Sequence, residues 1–261
     1  MTTHRPLVFA HRGGADALPE HTLGAYLRAL DEGADGVEAD VRLTRDGHLV
    51  CVHDRRLDRT SNGRGLVSAK TLAELEVLDY GSWHPSFLED SGSDLIRLLT
   101  LDRLVEAVRS CDRNVRLLIE TKHPSRYGAA VERRLVEVLR RHGLDDPTPD
   151  HSVQVTVMSF SALALRRIRA LAPRVPTVYL LEIVPPGVGR GRLPFGARIA
   201  GPGIGLTRAR PQLVPALHAA GHQAYVWTVN TESDLGLVLD QRVDGVITDR
   251  PRFVLDRLGV A

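Results

Sequence analysis

Short apolar runs alternate with amphipathic segments from one end of this chain to the other. Leu7–His11, Gly36–Val41, Leu49–His53, Arg116–Thr121, Val153–Phe160, Thr177–Leu181, Tyr225–Val229 and Gly245–Thr248 read as strands, with a weaker candidate at Ile204–Leu206. Between them lie helical patterns such as His21–Glu32, where Leu23, Tyr26, Leu27 and Leu30 recur at helical spacing. Pro251–Leu258 reads as a final helix, with Thr248 or Asp249 available to cap it. Strands alternating with helices predict a parallel sheet covered by helices. At 261 residues, a closed barrel of ~250 residues fits better than an open doubly wound sheet. The expected fold class is therefore α/β, a (β/α)8 TIM barrel, with residues 1–261 forming one domain.

Three stretches depart from regular alternation. The Val41–Leu49 connection is too short for a helix and carries the turn signal Arg45-Asp46-Gly47, so strands 2 and 3 are joined by a helix-less crossover or a hairpin. Arg55–Leu99 reads as a small insertion after strand 3. It holds a Ser-Asn-Gly-Arg-Gly turn, one short helix around Leu72–Leu78, and a loop with Trp83, Pro85 and Phe87. Pro185–Gly205 is rich in Gly and Pro and reads as a long loop; its GVGRG and GPGIG strings lack the following helix of a dinucleotide site.

Charge and motif content exclude several function classes. Lys plus Arg total 34 against 32 acidic residues, a balance of +2 with no basic stripe, so no nucleic-acid partner is expected. No run of apolar residues is long enough for an integral membrane segment. The opening MTTHRPLVFAHRGG has no signal-peptide core, and Cys51 and Cys111 are too few for a disulfide framework. The expected location is cytoplasmic. A serine-hydrolase elbow and a phosphate-binding P-loop are both missing from the sequence.

The chemistry gathers where strands end. Barrel enzymes build their sites at the carboxyl ends of the strands. His11-Arg12 closes the first strand here, and His53-Asp54 closes the third. Glu38 and Asp40 lie two apart on the second, as do Glu120 and Lys122 on the fourth, so each pair shares a face. Carboxylates set in an apolar frame (Val37, Ala39, Val41) need a cationic partner. Glu38, Asp40 and Glu120 make a hard-cation site of the Ca²⁺ or Mg²⁺ type rather than a zinc site. His218 and His222 have helical spacing but read as surface residues beside Gly221. Two histidines beside a hard cation, an Arg and a Lys suit phosphate-ester chemistry, with imidazoles moving protons near neutral pH.

With those residues in hand, the chain closely resembles the glycerophosphodiester phosphodiesterase family. The matching strings are HRGGADALPEHTLGAY, GADGVEADVRLTRDGHLVCVHDRRLDRTSNGRG, LLIETKH, VMSF, WTVN and DGVITDRP. They span nearly the whole chain. The resemblance implies a TIM barrel with a small insertion, at 55–99 here, and hydrolysis of glycerophosphodiesters to glycerol 3-phosphate and an alcohol with a divalent cation. It implies His11 and His53 as the general acid–base pair and Glu38, Asp40 and Glu120 as metal ligands. Arg12 and Lys122 match groups near the phosphate. The family's Pro-Glu-Asn-Thr is Pro19-Glu20-His21-Thr22 in this chain. His21 can replace the amide's hydrogen bond, or simply precede a helix capped by Thr22. Trp227 and Asn230 match WTVN.

Two rivals differ in what they require. A phospholipase or lyase on the same barrel needs an apolar rim, for which Trp83, Phe87 and Leu88 are the candidates. A non-catalytic phosphate- or metal-binding descendant should have lost a histidine or a ligand, and none is missing. One compositional detail singles out Lys122. All basic residues of the chain except Lys70 and Lys122 are Arg, so a retained Lys marks a position where a point charge is preferred to a planar fork.

Overall fold

The computed structural model describes residues 5–86, 94–148 and 150–260. Among these, the strands are β1 (Leu7–His11), β2 (Gly36–Leu43), β3 (Leu49–Cys51), β4 (Val115–Thr121), β5 (Val153–Ser159), β6 (Thr177–Leu181), β7 (Ile199–Pro202), β8 (Gln223–Val226) and β9 (Gly245–Thr248). The helices are α1 (Leu23–Asp31), α2 (Leu72–Glu76), α3 (Leu101–Arg109), α4 (Ala130–Arg141), α5 (Ala162–Leu171), α6 (Ile204–Ala209), α7 (Leu213–Ala219), α8 (Glu232–Asp240) and α9 (Pro251–Leu258). Every strand except β3 pairs in parallel, and the β1–β2 ladder closes the sheet into the expected eight-stranded barrel.

Strand periodicity sorts the side chains into two layers. Phe9, Leu118, Met158, Val178, Leu180, Tyr225 and Ile247 point into the barrel and pack on one another. Their sequence neighbours, including Ala10, Val37, Ala39, Val41, Leu117 and Ile119, face the surrounding helices. Capping by Thr22 is as anticipated, since its hydroxyl accepts from the Ala25 N–H at 3.3 Å at the start of α1.

Several expectations need correcting. Leu49–His53 is not a barrel strand: β3 runs antiparallel to β2, with Val41 opposite Cys51 and Leu43 opposite Leu49. The hairpin is tied by Thr44, which donates to Asp46 at 2.6 Å and accepts from the His48 N–H at 2.9 Å, and it turns at Gly47 with φ of 86°. The missing barrel strand is β7, inside the stretch read as a loop, and Ile204–Leu206 belongs to α6. Local propensity misled here because Ile-Ala-Gly-Pro looks like a turn, whereas its neighbours bury it completely. Gly201 is closely packed there, since a Cβ would lie 2.7 Å from a Leu180 methyl and 3.0 Å from a Val178 methyl. Neither Thr248 nor Asp249 side chain caps α9, whose N-cap Arg250 makes no side-chain cap bond.

The described part of the 55–99 stretch packs against the hairpin through Val50, Val52, Leu57, Val67, Leu75, Tyr80 and Leu98. A capping box between Thr71 and Glu74 starts α2. Trp83 donates its indole N–H to the Tyr80 carbonyl at 2.9 Å, while Phe87 and Leu88 lie outside the described residues.

Candidate active site

The inward parity that puts Phe9 and Leu118 in the barrel also turns His11, Glu38, Asp40, Glu120 and Lys122 toward its axis, one to two pleats nearer the carboxyl end. Register then decides which meet. His11 lies beside Glu38, and Asp40 beside Glu120. Glu38, Asp40 and Glu120 are 2%, 1% and 6% exposed, with one oxygen from each lying within 4.8 Å of the others. Three carboxylates this close and this dry repel one another.

Two cations offset part of that repulsion. Lys122 Nζ lies 2.9 Å from both Asp40 Oδ1 and Glu120 Oε1. Arg12, in the left-handed region with φ of 53°, donates its backbone N–H to Glu38 at 3.1 Å. Its Nε approaches Asp40 Oδ2 at 3.3 Å as an ion pair without a hydrogen bond. Burial opposes ionisation of Asp40, yet Lys122, His21 and Arg12 outweigh it and hold the carboxyl well below its ordinary range. For Glu38 the same cations fall short: burial, then Asp40 and Glu120, push it well above the usual carboxylate value despite Lys122 and Arg12. Burial and Asp40 likewise push Glu120 up to about 8 despite Lys122. The donor set thus fits one more cation, since a hard divalent ion is what two such carboxylates lack. Both Asp40 oxygens already accept from protein donors, but each retains a second lone pair.

Each of the two expected histidines is held by a carboxylate. His11 Nδ1 lies 2.6 Å from Asp249 Oδ1. Asp249 Oδ2 accepts from the Asn230 side-chain amide at 2.6 Å, and the Asp249 N–H donates to Asn230 Oδ1 at 2.9 Å. His53 Nδ1 lies 2.7 Å from Asp54 Oδ1. Asp54 also accepts from Arg59 Nε at 2.6 Å, while the other nitrogens of Arg59 grip Glu20 at 2.7 and 2.8 Å. Glu20 in turn meets Arg12 at 3.2 Å. Burial would raise Asp54, but Arg59 and His53 bring it down to about 2. Burial also drives His53 down to about 4, so it is neutral at pH 7. With Nδ1 engaged in both rings, Nε2 is the nitrogen left to each for chemistry.

His53 arrives by the correction noted above. It follows the antiparallel return strand, and the Val52 N–H donates to the Asp40 carbonyl at 3.1 Å, which brings the ring back to the barrel mouth. His11, Arg12, Glu38, Glu120, Lys122 and His53 line one pocket of ≈ 450 Å³ with Met158, Phe160, Leu180, Glu182, Trp227 and Ile247. Asp40 sits just behind it. The Phe160 and Trp227 rings meet edge to face at 5.4 Å, forming its apolar wall. All seven expected site residues are therefore brought together.

That pattern has a counterpart among known proteins. Residues 11–253 match the glycerophosphoryl diester phosphodiesterase family. The chain belongs to that family. A probable glycerophosphodiester phosphodiesterase 1 of Mycobacterium tuberculosis is 48% identical over 246 residues, covering 94% of this chain and 90% of that protein. A glycerophosphodiester phosphodiesterase of Bacillus subtilis is 33% identical over 255 residues, covering 96% and 86%. Among solved structures, an Oleispira antarctica phosphodiesterase in complex with the product sn-glycerol-3-phosphate superposes with a TM-score of 0.81 at 27% identity, covering 97% of each chain.

The residue that departs from the string the sequence resembles is His21. That ring is buried, with φ of 60°. Its Nε2 lies 2.9 Å from Asp40 Oδ2 and its Nδ1 2.7 Å from the Tyr26 hydroxyl. It is thus a partner of the acidic cluster rather than a mere loop residue. Asp54, Asp249, Asn230, Glu20 and Arg59 were not anticipated as site residues. Asp54 was signalled by its adjacency to His53, and Asp249 by the DGVITDRP string. His218 and His222 lie apart, half-buried and bound to Asp244 at 2.9 Å and the Gly191 carbonyl at 2.7 Å. No helix among the described residues is long and apolar enough to cross a membrane.

Proposed function

We propose that this chain hydrolyses glycerophosphodiesters to glycerol 3-phosphate and an alcohol, with His11 and His53 as the acid–base pair. The observation that carries the proposal is two carboxylate-held imidazoles sharing one pocket with a buried acidic triad. Glu38, Asp40 and Glu120 would hold a divalent cation, Ca²⁺ or Mg²⁺, whose charge would neutralise phosphoryl oxygens. Lys122 and Arg12 present further positive charge to a phosphate. The neutral His53 is ready to accept a proton at Nε2, and the carboxylate behind each ring stabilises the imidazolium that results. The apolar wall of Met158, Phe160 and Trp227 supports the carbon skeleton of a small ligand and excludes water from one side. Residues 1–261 act as one catalytic domain, with 55–99 serving the barrel mouth by supplying Arg59.

The test is hydrolysis of a neutral glycerophosphodiester after verified removal of metal by a chelator. Activity should vanish and return with Ca²⁺ or Mg²⁺. Undiminished turnover in the metal-free protein would refute the role given to the three carboxylates.

A further inference from the structure

Lys122 also borders a second cleft, whose ≈ 360 Å³ of empty space includes open solvent and which shares no other lining residue with the catalytic pocket. Arg42, Arg55, Lys122 and Arg126 line it together with Leu66, Ser68 and Ser125, and among the described residues no carboxylate does. Arg42 follows Asp40 by one pleat as Lys122 follows Glu120, and Asp40 and Glu120 are in register. A cationic layer therefore stands directly above the acidic one. Among the described residues only Lys122 of these four is ion-paired, with Asp40 and Glu120. Arg42 spends Nε and Nη2 on the His53 carbonyl at 2.8 and 2.6 Å and has no carboxylate partner among the described residues. Arg126 is exposed and, among the described residues, lies over the Tyr127 ring, 5.9 Å from its centroid.

Arginines elsewhere in the chain are commonly paired, Arg5 with Asp35 and Arg174 with Asp146 for example. Three guanidiniums without a carboxylate in contact among the described residues repel one another, and a cleft of one sign concentrates potential on whatever enters it. Lys122 lines this cleft and the catalytic pocket alike. A phosphodiester held at Lys122 thus has one arm on each side. The pocket arm meets Trp227, Phe160 and the carboxylate of Glu182, which suits an uncharged polyol and repels an anion. The other arm meets the guanidiniums.

We propose that the Arg42–Arg55–Arg126 cleft is a subsite for the leaving alcohol, and that it selects glycerophosphodiesters whose alcohol carries its own anionic group. A phosphate monoester suits it best, since guanidinium forks match phosphate oxygens. This rests on the hydrolytic activity proposed above.

Three matched substrates test it, each an ester of glycerol 3-phosphate with a two-carbon alcohol ending in a phosphate monoester, a hydroxyl or an ammonium group. With metal supplied, kcat/KM should fall in that order, by about tenfold or more between the ends, mainly through KM, and the spread should shrink as salt screens the cleft. The double variant Arg55→Gln/Arg126→Gln should lower the phosphate-to-hydroxyl ratio by about tenfold. Arg140→Gln/Arg174→Gln removes equal charge elsewhere and should leave the ratio unchanged. Equal rates on all three substrates, or a ratio unmoved in the Arg55/Arg126 variant with its fold retained, would overturn the subsite while leaving the hydrolase intact. Hydrolysis of none would overturn both.

Discussion

Replacing Asp249 by Asn tests the role given to His11 without removing any atom count from the site. The Asp249 carboxylate is clamped: Asn230 donates to Oδ2 at 2.6 Å and its own carbonyl oxygen is held by the Asp249 N–H at 2.9 Å, which stops the Asn230 amide from flipping. In Asp249→Asn the new amide oxygen must therefore face Asn230. Its NH₂ then faces His11 Nδ1, now 2.6 Å from a carboxylate oxygen. That nitrogen becomes an acceptor, the proton moves to Nε2, and the ring offers the wrong tautomer to its substrate. Losing one charge-assisted hydrogen bond costs about 1.5–3 kcal/mol. At roughly 1.4 kcal/mol per decade this is about 10- to 100-fold in rate. Inverting the tautomer of a fully buried His–Asp pair costs up to ~10⁴. The Asp249 side chain remains 26% exposed, so a loss of ~10²–10³ in kcat is expected, with the fold retained. The assay is kcat on a neutral glycerophosphodiester at saturating cation, paired with ¹⁵N chemical shifts of the His11 ring. A variant within threefold of wild type, or one whose His11 still carries its proton on Nδ1, would refute the reasoning.

Other outcomes follow from the same geometry. His53→Ala should lose ~10²-fold or more in kcat; a drop below tenfold in a folded variant would assign the proton transfer elsewhere. Lys122→Arg keeps the charge but replaces a point donor 2.9 Å from two carboxylates with a planar fork in a nearly buried site. Steady-state kinetics should show kcat reduced at least about tenfold, and wild-type turnover would mean that Lys122 only pairs with its neighbours. Burial sets His53 to about 4 in the folded protein, against ~6.5 in an unfolded chain. Between those values the unfolded chain binds a proton that the folded one refuses, so this contribution is full above ~6.5 and is lost as pH falls through about 4. Urea unfolding of the metal-free protein should weaken across that window and weaken less in His53→Gln; equal slopes would sink the assignment.

The paired carboxylates could be read from the chain because strand periodicity is local. Glu38 and Asp40, like Glu120 and Lys122, share a face in any strand, and an apolar frame around them marks that face as buried. The barrel followed from alternation and length for the same reason. What the chain could not reveal was partnership across space. Whether His53 follows a crossover strand or a hairpin return was left open by the sequence; it reaches the mouth on an antiparallel return, because the hairpin register rather than the local pattern sets its direction. β7 was hidden because Gly201 and Pro202 carry turn propensity, and only the packed neighbours overrule it. Asp249 lies 238 residues from His11 and meets it only because β9 closes the barrel against β1. Sequence alone determined which residue types line each strand, since a side chain's face is set by its nearest neighbours. Which of them share a proton or a charge was decided by ring closure, which joins residues whose separation along the chain carries no record of their distance.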